Sequence, residues 1–372
     1  MRWQSRRWAV TSALVLVAVT ATTFADTPVS QARAAKIQLT PQQEAGQRVV
    51  YSYPGLTVPQ SLLTAIQNGQ AAGVIFFKEN ISSPTQISGV IQQLARAQQQ
   101  SPVQAPLLLM TDQEGGQVRR LPGAPELSEK EIGASSNGPT LATQAGTGAG
   151  DNLRGVGMNL NLAPVLDVYR TAGDFMDQYG RSYSMNATTC GNLGRNFISA
   201  QQAVKVAATA KHFPGIGSAT TNQNTDARPV TLNVPLSTLR SVDEAPYGQA
   251  IGAGVKLVMT SWAVYPSLDA NRPAGLSSTI VQQELRGRLG FSGVTITDAI
   301  EAGALQAYGT TGQRSVLAAQ AGMDLILASA RDVSQGQAAT TALANALQSG
   351  QLDQAAFTAS LNRINALRSS LG

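Results

Sequence analysis

The sequence predicts a closed (β/α)8 barrel of parallel strands, the TIM-barrel architecture. Three observations predict it. Eight short apolar, β-branched runs recur along the chain, segments of helical period separate them, and polar residues of chemically active types stand where the runs end. The same alternation also suits an open doubly wound sheet. A count of eight favours closure, because eight strand–helix units complete a ring.

The runs are, in order, Arg48–Tyr53 (RVVYSY), Gly73–Phe77 (GVIFF), Pro106–Asp112 (PLLLMTD), Met158–Val165 (MNLNLAPV), Val206–His212 (VAATAKH), Val255–Ser261 (VKLVMTS), Gly293–Asp298 (GVTITD) and Met323–Ala328 (MDLILA). Near-continuous apolarity is what strands buried on both faces require. After the second run, Ser83-Pro84 supplies a cap and a first-turn proline, and Ile87, Ile91 and Leu94 then share a helix face. The last segment carries Phe357, Leu361, Ile364, Leu367 and Leu371 on one stripe. Gln98–Gln100 reads as a polar loop and Ser135–Gly138 as a turn. No internal repeat or low-complexity linker divides residues 35–372, which read as one domain.

Composition agrees with a large buried core. Of 372 residues, 43% are hydrophobic and 13% charged, which excludes a disordered chain. The 35 glycines follow no three-residue period, which excludes collagen. A single cysteine, Cys190, excludes an intrachain disulfide, and a single histidine, His212, excludes any metal site needing two His ligands. The net charge is +5, but residues 1–34 hold Arg2, Arg6, Arg7 and Arg33 against Asp26. The remainder has 23 basic and 21 acidic residues and no basic run, so no nucleic-acid partner is expected.

Residues 1–34 read as a secretory signal peptide. Met1–Trp8 is basic, Ala9–Val19 is apolar, and A-x-A-like sites end at Ala34 and, more weakly, at Ala25. Arg6-Arg7 before the apolar run suggests twin-arginine export. The apolar run falls short of the roughly 20 residues that span a bilayer, so stable membrane insertion is not expected. The expected location is secreted or cell-envelope.

A barrel gathers chemistry at the carboxyl ends of its strands. The polar residues there are Lys78, Asp112, Asp167, Lys211, His212, Ser261 and Asp298. Asp112 opens TDQEGGQVRR, where a carboxylate can clamp two sugar hydroxyls and Arg119 or Arg120 can donate. Alternatively Asp112 caps a following helix and an arginine pairs with Glu114. Lys211 and His212 are adjacent, so both reach a ligand only if the strand ends or twists there. Otherwise His212 is a satisfied rim histidine. Arg181, in YGRSYS, is suited either to a substrate oxygen or carboxylate or to a salt bridge with Asp167. Asp298 is placed either as a carboxylate nucleophile or as a helix N-cap. Gly146-x-Gly148-x-Gly150 lacks the preceding strand of a dinucleotide loop. Asn80-Ile-Ser and Asn186-Ala-Thr fit glycosylation acceptors, and Cys190 suits a buried position.

Taken in order, GVIFFKENI (73–81), TDQEGGQVRRLPG (111–123), GMNLNLAPVLDV (157–168), GRSYS (180–184), AKHFPGIG (210–217) and ELRGRLGFSGVTITDA (284–299) resemble glycoside hydrolase family 3, most closely its single-barrel β-N-acetylhexosaminidase branch. The resemblance implies a retaining glycosidase with a carbohydrate substrate and neither metal nor organic cofactor. It implies that Asp298 is the nucleophile and that Asp112, Arg120, Arg181, Lys211 and His212 bind the sugar.

One departure bears directly on mechanism. The branch carries an Asp-Ser-His triplet in the loop after KHFPGHG, whose Asp–His pair is the general acid/base. Here the triplet falls on Asn222, Gln223 and Asn224, Ile216 replaces a His, and Trp262 stands where a His often follows the sixth strand. A neutral amide cannot deliver a proton, and general acid–base help is worth about 10²–10⁴-fold. Either another carboxylate substitutes, with Asp226 best placed ahead of Glu301 and Glu114, or only good leaving groups are cleaved, or the protein binds carbohydrate without turnover. A Schiff base on Lys211 is the remaining chemistry that a strand-end lysine allows.

Overall fold

The computed structural model describes residues 1–4 and 39–371. The apolar run and both cleavage sites of the leader reading lie outside the described residues. The chain divides into two units, Met1–Ile37 and Gln38–Gly372, and the second is the barrel.

Each of the eight runs contributes one strand. They are β1 (Val49–Tyr51), β2 (Gly73–Ile75), β3 (Leu108–Thr111), β4 (Leu160–Asn161), β5 (Ala207–Phe213), β6 (Leu257–Thr260), β7 (Val294–Ala299) and β8 (Leu325–Leu327). Consecutive strands pair in parallel around a closed ring. β1 meets β8 in the register Val49↔Ile326 and Val50↔Leu327.

Alternation along each strand fills two layers. Val50, Ile75, Leu108, Met110, Leu160, Ala207, Leu257, Met259, Ile296 and Leu325 pack inside the barrel. Val49, Tyr51, Val74, Leu109 and Ile326 face the surrounding helices. Both faces are therefore dry, which explains runs with no polar alternation.

The helical expectations hold with one correction. Ser83 Oγ accepts from Gln86 N (3.1 Å), and Ile87, Ile91 and Leu94 are buried on the helix Pro84–Gln99. That helix continues through Gln98 and Gln99, which were expected in a loop. Glutamine is a good helix former, and Gln98 Nε2 donates onward to Val103 O (2.7 Å) and Ala105 O (2.8 Å), tying down the true loop. Phe357, Ile364 and Leu367 are buried on the last helix, Gln354–Ser369. Gly146-x-Gly148-x-Gly150 lies inside the helix Gly138–Val156. A Cβ on Gly146 would sit 2.3 Å from Phe197 O, so this glycine serves close helix packing. Asn80 is buried and donates to Tyr53 O (3.0 Å) and Gly55 O (2.7 Å), which removes it as an open glycosylation acceptor. Asn186 caps the helix Ala187–Ala203, accepting from Thr189 N (3.0 Å). No helix among the described residues is long and apolar enough to cross a membrane.

Candidate active site

The loops at the carboxyl ends of the strands enclose a cavity of about 530 Å³. All seven residues singled out as site candidates wall it: Asp112, Arg120, Arg181, Lys211, His212, Asp226 and Asp298. Of the polar residues at the strand ends, Lys78, Asp167 and Ser261 do not. Lys78 is exposed, and Ser261 is buried with its hydroxyl 3.0 Å from Tyr265 Oη.

No helix follows β3 directly, so Asp112 caps none. A tight hairpin, Gln113–Gly115 with Val118–Arg119, turns there through Gly115 (φ 120°) and Gly116 (φ 53°). A Cβ on Gly115 would fall 2.2 Å from Leu127 O, so the turn requires glycine. The hairpin separates the two adjacent arginines. Arg120 walls the cavity, and its buried Nε has no hydrogen-bond partner among the described residues. Arg119 instead donates to Gly123 O (2.8 Å).

Lys211 Nζ lies between Asp112 Oδ1 and Glu114 Oε1, at 2.7 Å from each. Glu114 also takes both forks of Arg181, Nε to Oε2 and Nη2 to Oε1, at 2.9 Å each. This corrects two expectations. Glu114 pairs with Arg181 and not with an arginine of its own hairpin, and Arg181 does not bridge to Asp167. Burial works against a charged Glu114, but Arg181 and Lys211 outweigh it and hold the carboxyl well below the usual range. Burial likewise opposes the charge on Lys211, and Asp112 and Glu114 overcome it and raise the ammonium above its ordinary value. Glu114 is thereby a fixed anion and no candidate proton donor.

Asp167 is fully buried and orients the histidine. Its Oδ2 lies 2.8 Å from His212 Nδ1, and its Oδ1 accepts from Ile216 N (2.7 Å). The other ring nitrogen, Nε2, is not engaged by Asp167. It stands 3.5 Å from Arg181 Nη2. The Lys211–His212 peptide is cis, and both side chains wall the same cavity.

Asp298 is the penultimate residue of β7. Its Oδ1 accepts from Ala299 N (2.8 Å), and the next helical turn, Gly303–Tyr308, begins beyond Ala302, so Asp298 is no N-cap. Trp262, completely buried after β6, donates Nε1–H to Ala299 O (2.8 Å), which pins the peptide beside Asp298. A Cβ on Gly275 would lie 2.5 Å from that indole, so only glycine admits the ring.

Asp226 lies on the loop after β5, where Asn224 Oδ1 accepts its backbone N–H (2.9 Å). One side of Asp226 is open to solvent, yet the cavity walls crowd its carboxyl. Loss of surrounding water first, and the Asp298 charge second, push it up to about 6 against the opposing pull of His212 and Arg181. Among the residues of the replaced triplet, Asn222 is exposed, Gln223 Oε1 accepts from Thr220 N (2.8 Å), and Asn224 walls the cavity. Glu301 also reaches the cavity, but both its oxygens are engaged, by Ser329 Oγ (2.7 Å) and by Ser329 N (3.3 Å) with Gln335 Nε2 (3.1 Å). Arg331, which sequence reasoning missed, adds a rim wall with its guanidinium 4.1 Å from the Phe77 ring centroid. Its backbone φ of 62°, unusual outside glycine, left no signal in the sequence. Among the described residues, no group of three His, Cys, Asp or Glu side chains is arranged to hold a metal ion.

The cavity thus combines three cations (Arg120, Arg181, Lys211) and the carboxylate of Asp112, suited to hydroxyl groups, with two further carboxylates, Asp226 and Asp298, in different surroundings, the arrangement from which acid and nucleophile roles arise.

Comparison with known proteins agrees with this geometry. The family model described as "Glycosyl hydrolase family 3 N terminal domain" matches residues 44–367. An "Uncharacterized secreted glycosyl hydrolase" of Arthroderma benhamiae is 47% identical over 330 residues, covering 88% of this chain and 93% of its own. A family 3 β-N-acetylglucosaminidase structure from Paenibacillus sp. superposes with a TM-score of 0.84 at 33% identity. It covers 90% of this chain, and this chain spans 63% of that one. A β-N-acetylhexosaminidase structure from Beutenbergia cavernae gives a TM-score of 0.82 at 31% identity, covering 90% of this chain and 100% of that one.

Proposed function

Because the chain belongs to glycosyl hydrolase family 3, and is therefore a glycosidase, we propose that it is an exported retaining hydrolase of β-linked sugars, N-acetylated ones among them. Asp298 is the nucleophile and Asp226 the general acid/base. The observation that carries this reading is the pair itself: Asp226 and Asp298 share one cavity, and among the described residues no side chain hydrogen-bonds either oxygen of Asp226.

In the first step Asp298 attacks the anomeric carbon, the bond to the leaving oxygen breaks, and protonated Asp226 gives that oxygen its proton. In the second, Asp226 takes a proton from water, the water oxygen bonds to the anomeric carbon, and Asp298 departs. Two inversions leave the configuration retained. Asp226 as donor lowers the barrier by roughly 3–5 kcal/mol, the equivalent of about 10²–10⁴-fold. Asp112, Arg120, Arg181, Lys211 and His212 hold the sugar. Asp112 takes a hydroxyl hydrogen, Arg120 donates, and His212 Nε2 offers a further hydrogen-bonding atom. The N-acetylated class is supported by the names of the relatives, which are β-hexosaminidases and β-N-acetylglucosaminidases. Export is supported by the leader pattern of residues 1–34, which leaves 35–372 as the mature barrel, and by a relative called secreted.

The test is covalent trapping. Incubation with a slowly hydrolysed activated aryl β-N-acetylglucosaminide or β-glucoside should add one glycosyl mass to the intact protein, on the peptide containing Asp298. Absence of an adduct and of aryl release with every sugar, alongside saturable sugar binding by calorimetry, would show a carbohydrate-binding protein without turnover.

A further inference from the structure

The loop that carries Asp226 is bonded to the turn that follows Asp298 beyond the end of β7. Gly303 N donates to Asp226 O (2.7 Å) and Ala304 N to Thr225 O (3.0 Å). The two backbones approach so closely that a Cβ on Gly303 would fall 2.4 Å from Ala227 O and 2.9 Å from Asp226 O. On its other side the same turn is anchored by Glu301, whose carboxylate is held by Ser329 and Gln335 of the β8 loop and helix. Asn224 fixes the Asp226 N–H from within its own loop. Among the described residues the Asp226 carboxylate therefore makes no side-chain hydrogen bond, yet its backbone is held on both sides.

We infer that the Glu301–Ala304 turn is a latch that fixes the stance of Asp226 relative to Asp298 before any substrate arrives, with Gly303 as its positioning residue. The inference rests on the reading of Asp226 as the acid. It explains why a carboxylate from outside the family's usual triplet can serve: the nucleophile's own loop carries the template on which it docks. Misplacement by about 1 Å is enough to cost on the order of 10²-fold in rate.

Two variants test it. Gly303→Ala forces the loops apart, and Ala304→Pro removes one donor at a first-turn position that proline tolerates. Both are compared with Asp226→Asn, using kcat/KM for methyl β-N-acetylglucosaminide, which needs a proton donor, and for the 2,4-dinitrophenyl glycoside, which does not. The latch predicts that both variants lose roughly 10–10²-fold on the methyl glycoside and stay within about 3-fold on the dinitrophenyl one, with an altered pH profile on the methyl substrate alone. If Asp226→Asn shows that selective loss while both latch variants keep the wild-type ratio, the latch is wrong and the acid assignment stands. A uniform loss on both substrates in Ala304→Pro also overturns the latch. If Asp226→Asn keeps the wild-type ratio and pH profile, or the wild type releases neither aglycone, the acid assignment falls and the latch with it.

Discussion

Replacing Lys211 by methionine probes the electrostatic centre of the site. The ammonium is 2% exposed and lies 2.7 Å from both Asp112 and Glu114, whose side chains are 16% and 2% exposed. Methionine fills most of the volume and removes the charge. Glu114 keeps its bidentate contact with Arg181, while Asp112 loses the one ion pair it makes among the described residues. Removing one partner of a buried pair costs about 3–5 kcal/mol. With Arg181 still in place, the lower end is expected. At about 2.1 cal/mol/K of unfolding entropy per residue, taken over Gln38–Gly372, that lower end lowers the midpoint by roughly 4 °C. The acid limb adds a signed check. Glu114 has a depressed folded value, so its stabilisation is present above the unfolded carboxylate range and is lost as pH falls through the folded one. Losing Lys211 weakens the pull that opposes burial, so Glu114 protonates at higher pH and acid unfolding begins earlier. Thermal and denaturant unfolding at pH 7 and across the acid range measure both effects. Equal stability within about 1 kcal/mol, with an unmoved acid limb, would refute the idea that this triad is a coupled ionic unit.

Three further outcomes are expected. Turnover of an unactivated glycoside should decline as pH rises through about 6, because the donor form of Asp226 is the protonated one, whereas a dinitrophenyl glycoside should lack that limb; parallel kcat/KM profiles check this. Trp262→Phe removes the donor to Ala299 O, which still accepts from Ala302 N, so kcat should fall about tenfold, or roughly 1.4 kcal/mol of barrier, with KM nearly unchanged in steady-state kinetics. Gly146→Ala places a methyl 2.3 Å from Phe197 O, and denaturant unfolding should register an overpacking cost of about 1–3 kcal/mol.

The barrel was legible because strands dry on both faces write themselves as unbroken apolar runs, and eight of them appear. Strand-end position alone picked out Asp112, Lys211, His212 and Asp298, which wall one cavity, whereas Arg120, Arg181 and Asp226 came from loop motifs and the family resemblance. Their partners were not legible. Arg181 meets Glu114 across 67 residues and His212 meets Asp167 across 45, and local pattern carries no information on which distant carboxylate a cation finds. Asp298 illustrates the limit well. An Asp between a strand and a helical stretch has the spacing of an N-cap, and only the intervening Ile300–Ala302 turn, which delays the helix, separates the two roles. Gln98 and Gln99 failed for the opposite reason: polarity suggested a loop, but the residue type favours a helix whose exposed face is merely wet.

The seam between β1 and β8 has a consequence for synthesis. Arg48 Nε donates to Asp324 O across 276 residues, and the backbone pairings on either side are as distant. Nothing emerging early from the ribosome can satisfy the first strand's outer edge, so nascent chains carry a sticky, half-paired ribbon until translation is nearly complete. A truncation that removes β8 would consequently behave as an all-or-nothing lesion, yielding aggregate instead of a slightly smaller enzyme.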